Sequence, residues 1–319
     1  MHDHQLPSRR TAGRERWLRL YPVALGLAGL AGAWRTAMSL GAPVWPTTSL
    51  ALMSFAAWLV VTAMYAVHGG LDPRVFITDL RHPDQGFALG YIPLVPLVLL
   101  AQIGARSHGI RILDLAVVAA WAIATAALVA DWITMPRERH LIHPGFSLPV
   151  IGGPFIACIS LQANGWPGVA QGLFTLGVFF WVTFGTVIIG RLMTEQRLSD
   201  ARFPTLAALM VPPATASVAW FLLNDNKATT VGAGLAAVLA MMTLVQLFVL
   251  PEYLRRPFTM SFWTFIFPLA AAANTVGHWA IAVPNLAMQV SAWCAIALST
   301  ATIALLAVLT LRRLLRRRS

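Results

Sequence analysis

"FWTFIFPLAAAAN" (residues 262–274) places Pro268 directly after Phe267, inside a stretch that is otherwise typical of a membrane helix. Proline lacks a backbone N–H and clashes with the preceding turn, so it bends a helix and frees a carbonyl group. A bulky ring also needs space beside it when its helix packs closely on a neighbour. The stretch therefore predicts a bent membrane helix with room for a ring at its side.

The composition of the chain indicates an integral membrane protein. Of its 319 residues, 58% are hydrophobic and only 11% are charged, and its mean hydropathy is +0.69. A soluble domain of this length needs more charge to cover its surface. The net charge of +11 comes from arginines at the termini and in alternate loops, which favours membrane topology over nucleic-acid binding. Cys158 and Cys294 lie in apolar runs and are interpreted as buried hydrophobic residues.

A bilayer crossing needs about 20 mainly apolar residues, and the chain offers ten such spans. They cover residues 20–40, 48–68, 86–105, 112–134, 146–164, 168–191, 204–223, 229–250, 260–280 and 285–310. The chain is therefore divided into a basic cytoplasmic N-terminus (1–19), one transmembrane domain (20–311) and a basic cytoplasmic C-terminus (312–319).

The basic residues also predict the orientation of the spans. With the N-terminus in the cytoplasm, nineteen of the 23 lysines and arginines fall on the inner side. The other four are Arg35, Arg106, Arg111 and Lys227. This asymmetry predicts an inner-membrane protein with both termini in the cytoplasm.

Prolines occur in the odd-numbered spans and are absent from the interiors of the even ones. The odd spans carry Pro22, Pro93, Pro96, Pro149, Pro154, Pro212, Pro213 and Pro268. Freed backbone groups are tolerated in a bilayer only against protein or a water-filled cavity. The pattern predicts an all-α membrane fold of five helix hairpins, with five proline-bent inner helices around a central pore and five straight outer helices. The alternative is that prolines are simply common in membrane helices.

Residues that would carry out catalysis or cation coupling are scarce in this sequence. No Asp or Glu lies at mid-depth in an odd span, and Asp114 and Asp131 lie near opposite ends of the fourth. His140 and His143 lack neighbours with zinc-ligand spacing, and no nucleotide-binding or hydrolase motif is present. The sequence therefore predicts neither an enzyme nor a metal or cofactor site.

Three stretches resemble one known family, the tellurite-resistance/dicarboxylate transporters. They are "LGLAGLAGAW" (25–34), "HPGFSLPVIGGPF" (143–155) and the opening stretch, which is similar to the W-x-F-x-F pattern of the family's ninth helix. The family includes bacterial tellurite-resistance proteins, plant slow anion channels and fungal malate and sulfite exporters. The resemblance implies ten helices, a homotrimer with one pore per subunit, and a pore plugged by the second phenylalanine of the pattern, here Phe267.

Helical geometry agrees with this assignment of the gate. At 100° per residue, Phe267, Ala271 and Asn274 share one stripe of the ninth helix, and Phe267 is the only large side chain on it. The other predicted pore-lining residues are Gly26, Pro93, Pro149, Gly153 and Pro212. The alternative for Phe267 is ordinary packing between helices.

Three functions remain open at the level of the sequence. The preferred one is an anion channel that passes small inorganic or carboxylate anions and is gated by Phe267. The second is a coupled carrier of C4-dicarboxylates or of an oxyanion such as sulfite or tellurite, which would need a saturable site and a proton-carrying group. The third is a membrane-embedded enzyme or assembly subunit without a pore. The expected partners are anions, the lipid bilayer and two further copies of the chain, and no nucleic acid.

Overall fold

The computed structural model describes residues 9–82, 85–104, 106–135, 138–146 and 148–316, with side chains from residue 13 onward. Residues 1–8 and 317–319 of the predicted cytoplasmic termini, and Arg137 of a predicted inner loop, lie outside the described part of the chain. The described residues are helices and their connections, with no β-strand. This confirms the all-α class.

Twelve α-helices follow one another in the described chain. They are α1 (Arg9–Leu18), α2 (Tyr21–Met38), α3 (Trp45–Tyr65), α4 (Pro73–Leu80), α5 (Tyr91–Ile103), α6 (His108–Thr134), α7 (Gly153–Ala163), α8 (Pro167–Thr194), α9 (Val211–Leu223), α10 (Thr230–Leu254), α11 (Ile266–Ala282) and α12 (Leu286–Arg316). Several are preceded by a short 3₁₀ or π-helical segment that continues into the same span.

Nine helical stretches within the described residues are long and apolar enough to cross a membrane, and they coincide with the second to tenth predicted spans. The first predicted span is α2. It is 18 residues long, contains three glycines, Trp34 and Arg35, and is not among the nine stretches. Ten crossings therefore remain a prediction, because composition alone does not place α2 with the rest.

Burial separates the odd spans from the even ones. In the third, fifth, seventh and ninth spans, 56–82% of residues are buried within the protein, against 6–28% in the five even spans. Eleven of the eighteen residues of α2 are buried as well. We call α2, α5, α7, α9 and α11 the inner helices, and α3, α6, α8, α10 and α12 the outer helices.

The inner helices pack on one another in chain order and return to the first. Contacts join α2 to α5, α5 to α7, α7 to α9, α9 to α11, and α11 back to α2. Each inner helix also packs on the outer helix that follows it in the sequence. The arrangement leaves a space that all five inner helices can border.

Most prolines of the inner spans do not bend an α-helix, as the sequence predicted they would, but stand where an α-helix begins. In four inner spans an irregular segment comes first and the α-helix begins afterwards: Gly86–Gly90 before α5, Leu148–Gly152 before α7, Phe203–Met210 before α9 and Met260–Phe265 before α11. A proline stands within the first three residues of each of these four α-helices. The first-turn N–H groups of a helix have no intrahelical acceptor, so proline there removes no helical hydrogen bond. These prolines start α-helices, whereas Pro96 lies inside one.

Two details of the proline pattern were wrong. Pro22 stands at the start of α2, where it causes no bend. Pro251 lies inside α10, an outer helix, because the helix runs four residues past the predicted end of the eighth span. The separation of proline-containing from proline-free helices is therefore incomplete.

Candidate functional site

A cavity of about 390 Å³ lies between the inner helices, and every one of them contributes to its wall. The lining residues begin at Gly29, midway along α2, and at Phe267, the second residue of α11, and continue toward the C-terminal end of each helix. Along α11 the wall is formed by Phe267, Ala271, Asn274, His278 and Ile281, which recur every three or four residues. Phe267 is thus the deepest lining residue of its helix.

The cavity wall combines apolar and polar side chains. Its polar and basic members are Arg35, Thr36, Ser39, Gln102, Thr215, Asn226, Asn274 and His278. No Asp or Glu is among the described residues that line it. A cavity with one cationic side chain and no carboxylate favours anions over cations.

The ring of Phe267 lies directly against Gly29 of α2. A Cβ atom at Gly29 would approach Phe267 Cδ2 to 2.8 Å, closer than van der Waals contact permits. Phe267 itself is only 5% exposed. The missing side chain at Gly29 is therefore what allows the ring to occupy the space between α2 and α11.

Two further glycines of α2 face α11, and only Gly26 is as tightly opposed as Gly29. A Cβ atom at Gly26 would lie 2.7 Å from Ile266 Cβ, and one at Gly32 would lie 3.8 Å from Asn274 Nδ2. Gly29 and Gly32 line the cavity and were not identified from the sequence. The spacing of three in "GLAGLAG" was the available signal, but it does not reveal which helix the glycines face.

Asn274 is fixed on the wall above the ring. Thr36 Oγ1 donates a hydrogen bond of 2.6 Å to Asn274 Oδ1. This leaves Asn274 Nδ2 without an acceptor among the described residues, so its N–H groups are free to bind an anion in the cavity. Gln102 Nε2 donates to Ala28 O at 2.8 Å, which ties α5 to α2 at the same level.

Arg35 lines the cavity at an exposed position, and His278 is a buried member of its wall. Arg35 is exposed and forms no ion pair with a described residue, and the charge of Arg106 acts on it. His278 Nδ1 lies 2.6 Å from Asn226 Oδ1, and its ring stacks on Phe221 at 5.6 Å. The hydrogen bond directs the second ring nitrogen away from Asn226. The mouth therefore carries positive charge held at the surface, where an entering anion would meet it first.

The structure brings three of the predicted pore residues together in the cavity, Phe267, Ala271 and Asn274. The other five are not among its lining residues: Gly26, Pro93, Pro149, Gly153 and Pro212.

Two of those five face neighbouring helical segments. A Cβ atom at Gly153 would lie 2.4 Å from Trp121 Nε1 of outer helix α6. Pro149 packs on Gly90, and its carbonyl oxygen accepts a 3.1 Å hydrogen bond from Trp121 Nε1. These two residues join an inner span to its neighbours.

The other aromatic residues of the opening stretch have packing roles. Trp263 Nε1 donates to Thr310 Oγ1 of α12 at 3.0 Å. Phe262 and Phe265 stack at 5.8 Å, and Phe265 meets the edge of Tyr253 from α10 at 4.6 Å. Only Phe267 among these aromatics borders the cavity. One segment thus anchors outer helices with three rings and presents the fourth inward.

Asp114 is fully buried, and its two oxygens accept hydrogen bonds from the last turn of α7 and the residue after it. Ser160 Oγ donates to Asp114 Oδ1 at 2.6 Å, and Asn164 Nδ2 donates to Asp114 Oδ2 at 3.1 Å. The sequence placed this carboxylate near one end of the fourth span. The structure gives it a link between an outer and an inner helix.

No group of three metal-ligating side chains occurs in the described part of the chain. His140 Nδ1 lies 3.3 Å from Glu138 Oε2 at an exposed position, and His143 Nδ1 accepts a hydrogen bond from the backbone N–H of Gly145. Both histidines therefore have local partners of their own.

Comparison with known proteins gives one family and two relatives. The family described as "SLAC1: Voltage-dependent anion channel" matches residues 18–311. A Haemophilus influenzae protein named "Tellurite resistance protein TehA homolog" is 24% identical over 269 residues, which are 80% of this chain and 78% of that protein.

The second relative is "Guard cell S-type anion channel SLAC1" of Arabidopsis thaliana. It is 23% identical over 190 residues, which are 58% of this chain and 33% of the plant protein. The match thus covers only a third of the plant channel's length. The resemblance read from the three sequence stretches is confirmed by the family match.

Proposed function

The chain belongs to the SLAC1 voltage-dependent anion channel family, and from this membership we propose that it conducts small anions along a path between its five inner helices. The observation that carries the proposal is the cavity bordered by all five inner helices, with Phe267 at its deepest point on α11. We propose that Phe267 is the gate. A phenyl ring in a narrow apolar passage blocks hydrated ions by excluding water.

The electrostatics of the cavity support anions as the conducted species. Among the described residues Arg35 has no ion-pair partner, Asn274 Nδ2 has no acceptor, and no lining residue is a carboxylate. The cavity has no clamp of several cations that would hold one anion tightly. The absence of such a clamp favours conduction over tight binding, because a conducted anion must bind weakly enough to be released.

The proposal includes the architecture and assembly implied by the family. Ten helices would cross the inner membrane as five hairpins within residues 20–311, with both termini in the cytoplasm. The burial of the inner helices and their packing in a ring support this arrangement. The homotrimer is proposed from the resemblance to the family alone. Family membership also supports a transport role over catalysis.

The decisive measurement is anion-substitution electrophysiology on the parent protein and on Phe267→Ala. We expect the variant to conduct about tenfold more than the parent, as a barrier lower by about 1.4 kcal/mol would produce. Phe262→Ala serves as the control, because it removes the same ring from a residue that does not line the cavity. Its conductance should equal that of the parent.

A folded Phe267→Ala protein that is as silent as the parent would show that this ring is not the gate. Saturable uptake of malate, sulfite or tellurite that collapses with the proton gradient would show coupled transport in place of a channel. The tellurite-resistance name of the bacterial relative makes tellurite a useful anion to include in this assay.

A further inference from the structure

A second pocket, which shares no lining residue with the central cavity, lies at the ends of two outer helices. It has a volume of about 280 Å³ and is bordered by the end of α8, the connection that follows it, the 3₁₀ segment before α9, and the end of α10. Its basic lining residues are Arg191, Arg197 and Arg256, and Glu252 is its only acidic one among the described residues. The basic residues of the chain predict that this end of the molecule faces the cytoplasm.

Some N–H groups of the arginines in this pocket have no hydrogen-bond acceptor among the described residues. Arg191 is only 6% exposed, and its Nε has no hydrogen-bond partner among the described residues. One of its terminal nitrogens donates to His140 O at 3.3 Å. An unpaired N–H on a buried guanidinium group costs free energy unless a ligand or water accepts from it. The pocket thus contains a buried donor without an acceptor.

The other two arginines differ in how far they are neutralised. Arg197 is exposed, with no ion pair among the described residues. Arg256 forms ion pairs with Asp200 and Glu252, its guanidinium lies 3.8 Å from the Phe203 ring centre, and its Nε also lacks a partner. Segments 191–202 and 252–256 together hold five arginines against three carboxylates, so the local charge stays positive.

The rest of the pocket is apolar. Leu192, Leu198, Phe203 and Leu206 complete its wall. The apolar surface continues beyond it, since Met193 and Leu254 are 81% and 77% exposed at the ends of α8 and α10. Both of these helices expose most of their residues, as expected of helices that face lipid. A soluble oxyanion would use only the arginines, whereas a lipid would use both surfaces.

We propose that this pocket binds the phosphate of an anionic lipid headgroup, with the upper acyl chain against the leucines. The arginines stand where α8 and α10 end, which is the depth of the headgroups in a bilayer. Basic pockets between membrane helices on the cytoplasmic side suit phosphate-bearing lipids. Arginine binds phosphate through two parallel N–H bonds, which would satisfy the free donors of Arg191 and Arg256.

The test is a titration of the purified full-length chain, in uncharged detergent, with phosphatidylglycerol, phosphatidylcholine or inorganic phosphate. Tm and native mass spectrometry report binding. We expect phosphatidylglycerol alone to raise Tm and to remain bound in the spectrometer. Arg191→Gln and Arg197→Gln should each weaken its binding roughly fivefold, the effect of one arginine at an anionic surface. Arg312→Gln removes an exposed arginine outside the pocket and should leave binding unchanged.

Because Arg197 is exposed, its variant folds even if the buried Arg191 variant does not, and Arg197→Gln alone then decides the matter. Equal binding of phosphatidylcholine would overturn the proposal, as would unchanged phosphatidylglycerol binding by Arg197→Gln. If inorganic phosphate stabilises the protein as well as the lipid does, the pocket takes a soluble oxyanion and the lipid assignment is wrong.

Discussion

The fifth and sixth spans are neighbours in the sequence and are built in opposite ways. The fifth reaches α7 through the π-helical segment Leu148–Gly152, and α7 has only 11 residues. The sixth is α8, an unbroken α-helix of 28 residues. Both are apolar, with mean hydropathies of 1.5 and 2.0, yet 82% of the fifth span is buried and only 11% of the sixth. Both spans are apolar enough to cross a membrane. The span with the irregular backbone is the buried one, and the span with the unbroken helix is the exposed one.

The difference follows from what surrounds the peptide groups. Lipid offers no hydrogen bonds, so a lipid-facing helix must satisfy every N–H and C=O within itself. An inner span has protein beside it, and a side chain can supply the missing partner. Trp121 Nε1 does so for Pro149 O at 3.1 Å. Irregular backbone is therefore found where protein covers it, and the ring of inner helices is where a cavity can form.

Several glycines of the inner helices also differ from glycines of the outer helices in how closely a neighbour packs on them. Gly26, Gly29 and Gly153 of inner helices each face a neighbouring side chain that leaves no room for a Cβ atom. Gly190 and Gly234 of outer helices have nothing within 4 Å of the position that a Cβ would take. These three inner glycines therefore set the spacing between helices, and these two outer ones do not. Gly177 of α8 is an exception among the outer glycines, because a Cβ atom there would meet the Phe155 ring at 2.7 Å.

The largest effect is expected from a proline placed in an outer helix. Val238 lies near the middle of α10 and is 40% exposed. We expect Val238→Pro to lower the free energy of unfolding by about 3 kcal/mol or more, because lipid cannot satisfy the freed carbonyl. Thermal unfolding in detergent, compared with Val238→Ala, measures the effect. A proline variant as stable as the alanine one would refute the requirement for an unbroken outer helix.

A smaller effect is expected from a methyl group between an inner and an outer helix. Gly153→Ala would place Cβ 2.4 Å from Trp121 Nε1, pushing the indole away from Pro149 O. Overpacking and the lost hydrogen bond should together cost about 2–3 kcal/mol. The matched control, Gly190→Ala in α8, should be neutral or stabilising by up to about 1 kcal/mol. Equal Tm changes for the two variants would remove the distinction between inner and outer glycines.

The smallest effect tests the contact between Gly29 and Phe267 directly. Gly29→Ala should cost about 1–2 kcal/mol of stability, since only one edge of a movable ring is displaced. The cost should fall below about 0.5 kcal/mol in the Phe267→Ala background, where the opposing atoms are absent. A double-mutant cycle of unfolding free energies measures this coupling. Additive costs would mean that Gly29 does not hold the ring in place.

The sequence predicted the helical class, nine of the long apolar helices and the family. These properties follow from composition and the spacing of apolar residues, which are local. The sequence did not predict where the irregular segments of the inner spans end and their α-helices begin. Proline reads as a bend in a sequence, but Pro154, Pro212 and Pro268 stand in the first turns of helices, and only the structure shows where each helix begins.

The candidate site shows the same limit. Phe267, Ala271 and Asn274 were predicted to share a stripe, because helical periodicity alone sets that relation. Gly26 and Gly153 were chosen as small residues of inner helices, although they face Ile266 and Trp121. A small residue indicates close packing without naming its neighbour. Gly29 was missed for that reason, and Thr36 and Gln102 were missed because a polar side chain in a helix does not reveal which neighbour it faces.

Composition and helical periodicity are enough to predict an all-helical membrane protein of alternating inner and outer helices, with one phenylalanine on a stripe of small and polar residues. The packing of the helices sets which residues border the cavity, what Phe267 rests on, and that three arginines gather at the ends of two outer helices. The two kinds of property differ in the distance along the chain over which they act. Hydropathy and periodicity act over a few turns of one helix, whereas the cavity is bordered by residues from Gly29 to Ile281, brought together only when the five inner helices pack.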